Sequence, residues 1–414
     1  LPLDNKAIIT HMIDKIPKDY EIVVALGYRG DMVREYCLAA HTDRTFKFVE
    51  VDKYDGEGTG PSYSINQCKE YLQRPFIWVT ADTIVSDELP RLNTNWLGVY
   101  PTGIPELYAT INVDGDNAIN LKNKNKQGYD DAFIGLASVY DYETFWNELD
   151  VDSGEIVSAY YNLNKYSSMK VKRFDWYDVG TIDNYIKAKN LFKGSTVYSI
   201  PKVNGEFLYK VNDKFIKLSS NKDFIKGRIK RSAELSGLVP KINFNGKNLY
   251  SYNWQAGRTL YECDDTNVWN KFLNFCNKDL WKETDIDNNF LDTCEEFYYN
   301  KSMSRLKLFL DDRDDTFTKS HTVNNVKTDN VHNLLKKLDW QSIFNGIPTK
   351  LFHGDLQFDN VIIGDNKKFY LLDWRQNFAG GDVGDVYYDL AKMYGGILMS
   401  YKLMANSNNF TCFV

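Results

Sequence analysis

The sequence contains no C-x-x-C pair. Its six cysteines, at 37, 68, 263, 276, 294 and 412, are scattered, which excludes the usual zinc and dithiol redox motifs and points to reduced thiols in a cytoplasmic protein. No apolar run approaches the ~18 residues that span a bilayer. The opening LPLDNKAIITHMIDKIP lacks the basic, apolar and small-residue order of a signal peptide. Nor is there an excess of basic residues: 50 Lys plus Arg stand against 56 Asp plus Glu, for a net charge of -6. That balance argues against a nucleic-acid surface while leaving room for a local phosphate site. Internal repeats and long low-complexity segments are absent as well.

What remains is ordinary globular material. The 414 residues exceed what one hydrophobic core usually covers, and 43% hydrophobic with 15% aromatic residues is ample for two cores. Through the first half, helical spacing (AIITHMIDKI, DMVREYCLAAH, GPSYSINQCKEYL) alternates with short apolar runs (YEIVVALGY, FKFVEVD, PFIWVTADTIV). The alternation predicts a Rossmann-like, mostly parallel sheet flanked by helices, an α/β domain whose ligands meet the carboxyl ends of strands. A helix TIDNYIKAKNLF runs into KGSTVYSIPKVNG, where the pattern breaks, and the domain boundary is placed at 195/196. Beyond it come a hairpin, EFLYKVNDKFIKLS, with ND at its turn, a basic amphipathic helix, DFIKGRIKRSAEL, and a strand pair near KINFNGKNLYSYNW. From about 263 to 345 the sequence reads as helical and polar.

Near the C-terminus, LFHGDLQFDNVIIGDNKKFYLLDW sets Asp355 and Asn360 in D-x-x-x-x-N spacing, followed by Asp373 at the end of an apolar run. Phosphoryl transfer needs a carboxylate facing the acceptor hydroxyl and oxygen ligands holding Mg2+ against the phosphates, and this spacing serves both needs. Upstream, Lys217 in KFIKL and Glu234 on the next helix suit a phosphate-gripping Lys and the acid that fixes it. On HGDLQFDN, LLDW, FIKL and RSAEL, residues 196–414 resemble the aminoglycoside phosphotransferase and choline kinase superfamily. The resemblance implies a protein-kinase-like α+β bilobal domain, ATP as donor, Asp355 as catalytic base, Asn360 and Asp373 as Mg2+ ligands, and Lys217 with Glu234 as the phosphate clamp. It places the purine at LYSYNWQAG, hence at Tyr252 and Trp254, and gives Asp385 and Asp389 mainly structural parts. His353 is read as loop support. Only 41 residues follow Asp373, so the acceptor-binding helices are expected to be incomplete. Arg375 stands where choline kinases commonly carry an acid; it favours a sugar, polyol or anionic acceptor.

In the first half, Asp82 in VTADTIV and Asp178 in DWYDVGT each close a strand and could meet on one ion, while GEGTGPSYSINQC offers glycines for close approach to a nucleobase. With ALGYRGDMV and FIGLASVYD, these motifs make residues 1–195 resemble the sugar-nucleotide pyrophosphorylase, or nucleotidyltransferase, family. The resemblance implies Mg2+ at Asp82 and Asp178, a base against Gly60, Pro61 and Ser62, and an acceptor facing Lys124, Gly135 and Glu155, with Lys122 and Lys126 competing for the place of Lys124. The family's Gly-rich phosphate loop has no counterpart in this numbering, and it is expected to precede residue 1 in the whole protein.

Together the two resemblances imply a bifunctional enzyme. It would phosphorylate a small alcohol, sugar or polyol with ATP, then join the product to a nucleotide from CTP, UTP, GTP or dTTP, giving an activated precursor for surface glycans. The alternatives are a choline or ethanolamine kinase with phosphocholine cytidylyltransferase, and a kinase whose N-terminal domain binds nucleotide without turnover. Small-molecule substrates are the partners expected, with no nucleic acid and no membrane span; self-association as a homo-oligomer is left open.

Overall fold

The alternation of helix and strand holds through Val85 in the structure, a computed structural model that describes residues 1–124, 131–192, 205–263, 265–285, 289–311, 319–323 and 325–398. Two compact units divide the chain, Leu1–Ser220 and Asn221–Val414. The segment 193–204, which contains the expected boundary, lies outside the described residues, as do Lys126 and Cys412.

The first unit begins with helix Ile8–Ile13, strand Ile22–Leu26, helix Gly30–Ala40, strand Phe46–Glu50 and helix Pro61–Gln67. Ile22–Leu26 and Phe46–Glu50 pair in parallel, as a crossover helix between them requires. The expected mostly parallel sheet does not continue. Trp96–Pro101, Ala109–Asp114, Asn117–Asn123 and Asp131–Val139 follow one another with no α-helix between them among the described residues, and short connections return a chain antiparallel to itself. The six-stranded sheet runs Phe76–Val79, Asp131–Val139, Trp96–Pro101, Lys170–Arg173, Asn117–Asn123, Ala109–Asp114. Lys170–Arg173 and Trp96–Pro101 are its parallel pair; the other pairings are antiparallel. The fold of this unit is therefore mixed α/β.

Within Asp131–Val139 every residue except Gly135 is buried, because both faces of this central strand are covered. Leu97, Val99, Ile111, Phe133 and Ala137 pack with Phe145 and Tyr160 of the helices Tyr142–Glu148 and Val157–Tyr166. Trp96, Ile134 and Leu136 pack with Met12 and Phe174. PFIWVTADTIV forms two strands, Phe76–Val79 and Thr83–Val85, with Asp82 in the turn between them. Thr83–Val85 pairs with Trp176–Asp178 so that Thr83 stands opposite Asp178. The expected hairpin is present as Glu206–Val211 and Lys214–Ser219, with Asn212 at φ +53° in its turn, a conformation Asn tolerates. Lys210 N donates to Asn5 O at 2.7 Å, and Lys214 Nζ to Thr42 Oγ1 at 2.8 Å, tying the hairpin to this unit.

The second unit opens with helix Lys222–Glu234, whose first turn is capped by the Asn221 side chain accepting from Phe224 N. Ile242–Asn245 and Leu249–Asn253 pair antiparallel, as do Val361–Gly364 and Phe369–Leu371. Between these pairs the chain is largely helical, including Thr266–Phe275, Phe290–Glu295 and Lys301–Asp311, although a hairpin, His321–Val323 with Val326–Thr328, interrupts it. Phe290, Phe297, Phe344, Phe352 and Phe378 form an aromatic core in which Phe297 and Phe378 stack at 3.9 Å. Helix Val386–Leu398 follows. Among the described residues no helix is long and apolar enough to cross a membrane.

Candidate functional site

In the first unit, Asp82 and Asp178 come together through backbone pairing. Val179 N donates to Asp82 O at 3.0 Å, and the antiparallel register sets Asp178 beside the turn that carries Asp82. Gly180 marks their convergence: a Cβ there would sit 2.8 Å from Asp82 Oδ2 and 3.2 Å from Asp178 Oδ1. Two carboxylates thus flank one point that only a glycine leaves open. Asp82 is exposed, whereas Asp178 is held fast. Its Oδ1 accepts from Gly180 N at 2.8 Å, and its Oδ2 accepts from Tyr108 Oη at 3.0 Å and Asn184 Nδ2 at 2.7 Å. Burial and the Asp178 charge push the Tyr108 phenol up to about 12, so it stays a donor. Tyr108 and Asn184 were not anticipated. Asn184 stands two residues into the helix that follows the D-V-G-T turn, where a side chain can reach back to Asp178, and that placement was the available signal.

Gly135 lies against the start of the turn that carries Asp82, its carbonyl accepting from Thr80 N at 2.9 Å. It sits at a register shift in Asp131–Val139 with φ +71°, and a Cβ would fall 2.4 Å from Thr80 Oγ1; the positive φ and the contact both demand glycine. Gly60 approaches the backbone of Gly154 closely enough that a Cβ would meet Gly154 O at 2.1 Å. This brings the start of helix Pro61–Gln67 next to Glu155. Ser62 is fully buried, its hydroxyl donating to Val151 O at 3.3 Å, so its side chain is committed inward. Lys124 is exposed at the end of strand Asn117–Asn123, at φ +46°.

In the second unit the His353–Asn360 loop and the Leu372–Arg375 segment are laced together. His353 Nε2 contacts Leu372 O at 2.8 Å, Leu372 N donates to Asn360 O at 2.7 Å, and Arg375 N donates to His353 O at 2.8 Å. Because His353 Nδ1 accepts from Asp355 N at 3.2 Å, the proton of the neutral ring must lie on Nε2. Burial lowers the affinity of the imidazole for a second proton. Asp389, also fully buried, accepts from Gly354 N at 2.7 Å, His353 N at 2.9 Å and Trp281 Nε1 at 3.2 Å. Asp385 accepts from Ile347 N, Tyr387 N and Tyr298 Oη.

On this frame Asp355 is gripped from three sides: Lys392 Nζ at 2.9 Å and Gln357 Nε2 at 3.1 Å on Oδ1, and Asn360 Nδ2 at 3.3 Å on Oδ2. Asn360 Nδ2 also donates to Asp355 O at 2.8 Å. Asp373 sits at φ +56°, and its Oδ1 pairs with Arg228 Nη1 at 2.8 Å. Arg228 and Lys392 were missed. For Arg228 a signal existed, since it follows Ile225 by three positions on the helix and therefore faces inward with it.

The two residues expected as a phosphate clamp each have a partner within their own unit. Lys217, buried in the first unit, is 3.7 Å from Glu206 Oε2. Glu234, in the second, accepts from the buried Arg231 at 2.6 Å. The Tyr252 ring is buried against Tyr250 and Trp374, so it is packed into the core rather than presented to a purine. Trp254 is half-buried.

No protein-family model and no curated protein matches the chain. Among solved structures, its N-terminal half is similar to a Bacillus anthracis protein assigned as a glucose-1-phosphate thymidylyltransferase, at 18% identity and TM-score 0.41, covering 47% of this chain and 86% of that one. It is likewise similar to the inositol-1-phosphate CTP transferase of T. maritima (15%, 0.38, 47% and 87%) and to the CTP:phosphocholine cytidylyltransferase of Streptococcus pneumoniae (17%, 0.35, 45% and 83%). These likenesses are faint, and what the chain can do rests on its own residues.

Among the described residues no group of three or more His, Cys, Asp or Glu gathers as a metal cage. Paired oxygen donors are instead what Mg2+ uses when phosphates and water complete its shell. Asp82 with Asp178 fits that donor chemistry, and Asn360 and Asp373 are oxygen donors on two segments tied by the Leu372 N to Asn360 O bond.

Proposed function

We propose that the chain is a bifunctional transferase. Its C-terminal half moves the γ-phosphoryl group of ATP to a hydroxyl of a small sugar, polyol or other alcohol. Its N-terminal half joins the phosphorylated product to a nucleotide from CTP, UTP, GTP or dTTP. The observation that supports the reading best is the convergence of two carboxylates, Asp82 and Asp178, on Gly180; in the other half Leu372 N donates to Asn360 O, tying the segment that carries Asp373 to the loop of Asp355 and Asn360.

In the kinase step the acceptor oxygen attacks the γ-phosphorus, its proton passes to Asp355, and ADP leaves. Gln357, Asn360 and Lys392 aim the carboxylate, while Asp389 and His353 hold the loop beneath it. In the nucleotidyl step an oxygen of the new phosphate attacks the α-phosphorus, and the bond to the β-phosphate breaks to release pyrophosphate. Mg2+, when bound at either pair, would offset phosphate charge. The product, a sugar or alcohol linked to a nucleotide, is the kind of activated group that builds surface glycans.

The test uses the whole protein. Asp355→Asn should abolish ATP-dependent phosphorylation while nucleotide binding persists, and Asp82→Asn should abolish pyrophosphate release without touching phosphorylation. Near wild-type phosphorylation by the first variant would refute the base, and pyrophosphate release by the second would refute the metal pair.

A further inference from the structure

Positive charge gathers around Asp355 beyond what that carboxylate can balance. Lys301 and Arg305 stand one turn apart on Lys301–Asp311, so their side chains leave the same face of the helix. Lys301 Nζ lies 3.7 Å from the Phe297 ring centroid and 5.9 Å from that of Tyr388. Arg375 Cζ lies 4.9 Å over the same Phe297 ring, and Lys392 Nζ lies 5.7 Å over Tyr388 while it pairs with Asp355. Among the described residues no carboxylate pairs with Lys301, Arg305 or Arg375. Burial depresses Lys301, as do Arg375, Arg305 and Lys392 in that order, and Asp355 opposes them. The cations therefore share one electrostatic environment with Asp355. Two rings hold Lys301, Arg375 and Lys392 without neutralising them, since a π face attracts a cation but carries no net charge.

Such a cluster repels a quaternary ammonium and attracts an anion. We propose that the hydroxyl compound taken up beside Asp355 carries a negative charge of its own, a carboxylate or a phosphate, which Lys301, Arg305 and Arg375 bind while Asp355 faces the hydroxyl. Naming that compound an acceptor rests on the kinase reading above; the anion preference rests on the cluster. The fork of Arg375 suits either oxyanion.

The experiment is calorimetric titration of the whole chain, with Mg2+ and a non-hydrolysable ATP analogue, against matched probes: glycerol, glycerate and glycerol 3-phosphate, then glucose and glucuronate. At least one acid should bind about tenfold more tightly than its neutral partner. Lys301→Met keeps an apolar stem on the Phe297 ring and Arg305→Met removes only the charge-bearing end, and each should weaken that acid about tenfold with less than a twofold effect on the ATP analogue; thermal unfolding checks that both are folded. Comparing glycerate with glycerol 3-phosphate separates carboxylate from phosphate. The proposal is overturned if no acid binds better than its neutral partner, or if the variants weaken the ATP analogue and spare the acid. Failure of the ATP analogue to bind would instead defeat the kinase reading, and the comparison of acid with neutral probe would still judge the cluster.

Discussion

Substituting Gly180 by Ala probes the proposed metal pair of the N-terminal unit without removing either acid. The new methyl would stand 2.8 Å from Asp82 Oδ2, where ordinary contact begins at 3.4 Å, so that carboxylate must withdraw by about 0.6 Å. Asp178 cannot give way as cheaply, because Tyr108, Asn184 and Gly180 N hold it. Asp82 is exposed and can swing into solvent. The stability cost should stay within about 1 kcal/mol, and replacing glycine at a compatible backbone offsets part of it through the unfolded chain. The functional cost is larger, since a misplacement of about 1 Å at a reacting centre costs about 100-fold. Shifting one of two metal acids by somewhat less should slow nucleotidyl transfer about 10- to 100-fold, which is roughly 1.4–2.8 kcal/mol of transition-state stabilisation. Two assays check this: pyrophosphate release as Mg2+ is titrated, and Mn2+ binding by paramagnetic resonance, which needs no knowledge of the acceptor. The variant should need more metal in both and should keep its denaturation midpoint. Unchanged Mn2+ affinity together with unchanged pyrophosphate release would refute the idea that the two carboxylates act on one ion at Gly180.

Other perturbations follow from the same geometry. Asp389→Ala leaves the buried N–H groups of His353 and Gly354 without their acceptor, at about 1–3 kcal/mol each; chemical denaturation should show a loss of about 3 kcal/mol or more, and Asp389→Asn should recover only part of it. His41, buried beside Thr10 Oγ1 at 3.0 Å, is held down to about 4 by desolvation. The unfolded chain therefore takes up a proton between about 6.5 and 4 that the folded chain refuses, so stability should fall as pH drops through that window. His41→Gln should flatten that part of the stability profile. Lys301, pushed down to about 7 chiefly by burial, should lose its proton as pH rises through neutrality. Affinity for an acidic probe should fall with it, and Lys301→Met should weaken binding below pH 7 while removing that part of the pH dependence.

The parts of the site that the sequence made legible are those whose geometry is local. D-x-x-x-x-N spacing puts Asp355 and Asn360 on one short loop, and their side chains do meet. Asp82 and Asp178 were read as strand-end acids, but they meet by another route: Asp82 sits in the turn before Thr83–Val85, and the antiparallel register of that strand with Trp176–Asp178 brings Asp178 beside it. The charges that set the behaviour of these acids come from elsewhere in the chain. Arg228 reaches Asp373 across 145 residues and Lys392 reaches Asp355, and no spacing rule reports such pairings. The sheet was misjudged because the rhythm of helix and strand, true up to Val85, was extended over a stretch where strands follow one another directly. Tyr252 was assigned by position along the chain, which is blind to the direction of a side chain, and its ring turned out to pack on Trp374.

Asp389 also bears on how the protein is made. The carboxylate that holds the backbone at His353 and Gly354 comes from helix Val386–Leu398, and Pro348–Leu351 pairs with Gly384 and Asp385. During synthesis the ribosome delivers these supports after the loop they support. A nascent chain that has already exposed Asp355 would hold it on an untied loop until the later helix emerges, whereas Asp82 and Asp178 depend only on residues completed long before. The acids at Gly180 would therefore be in place early in synthesis, and the loop of Asp355 would be the last part to be tied down.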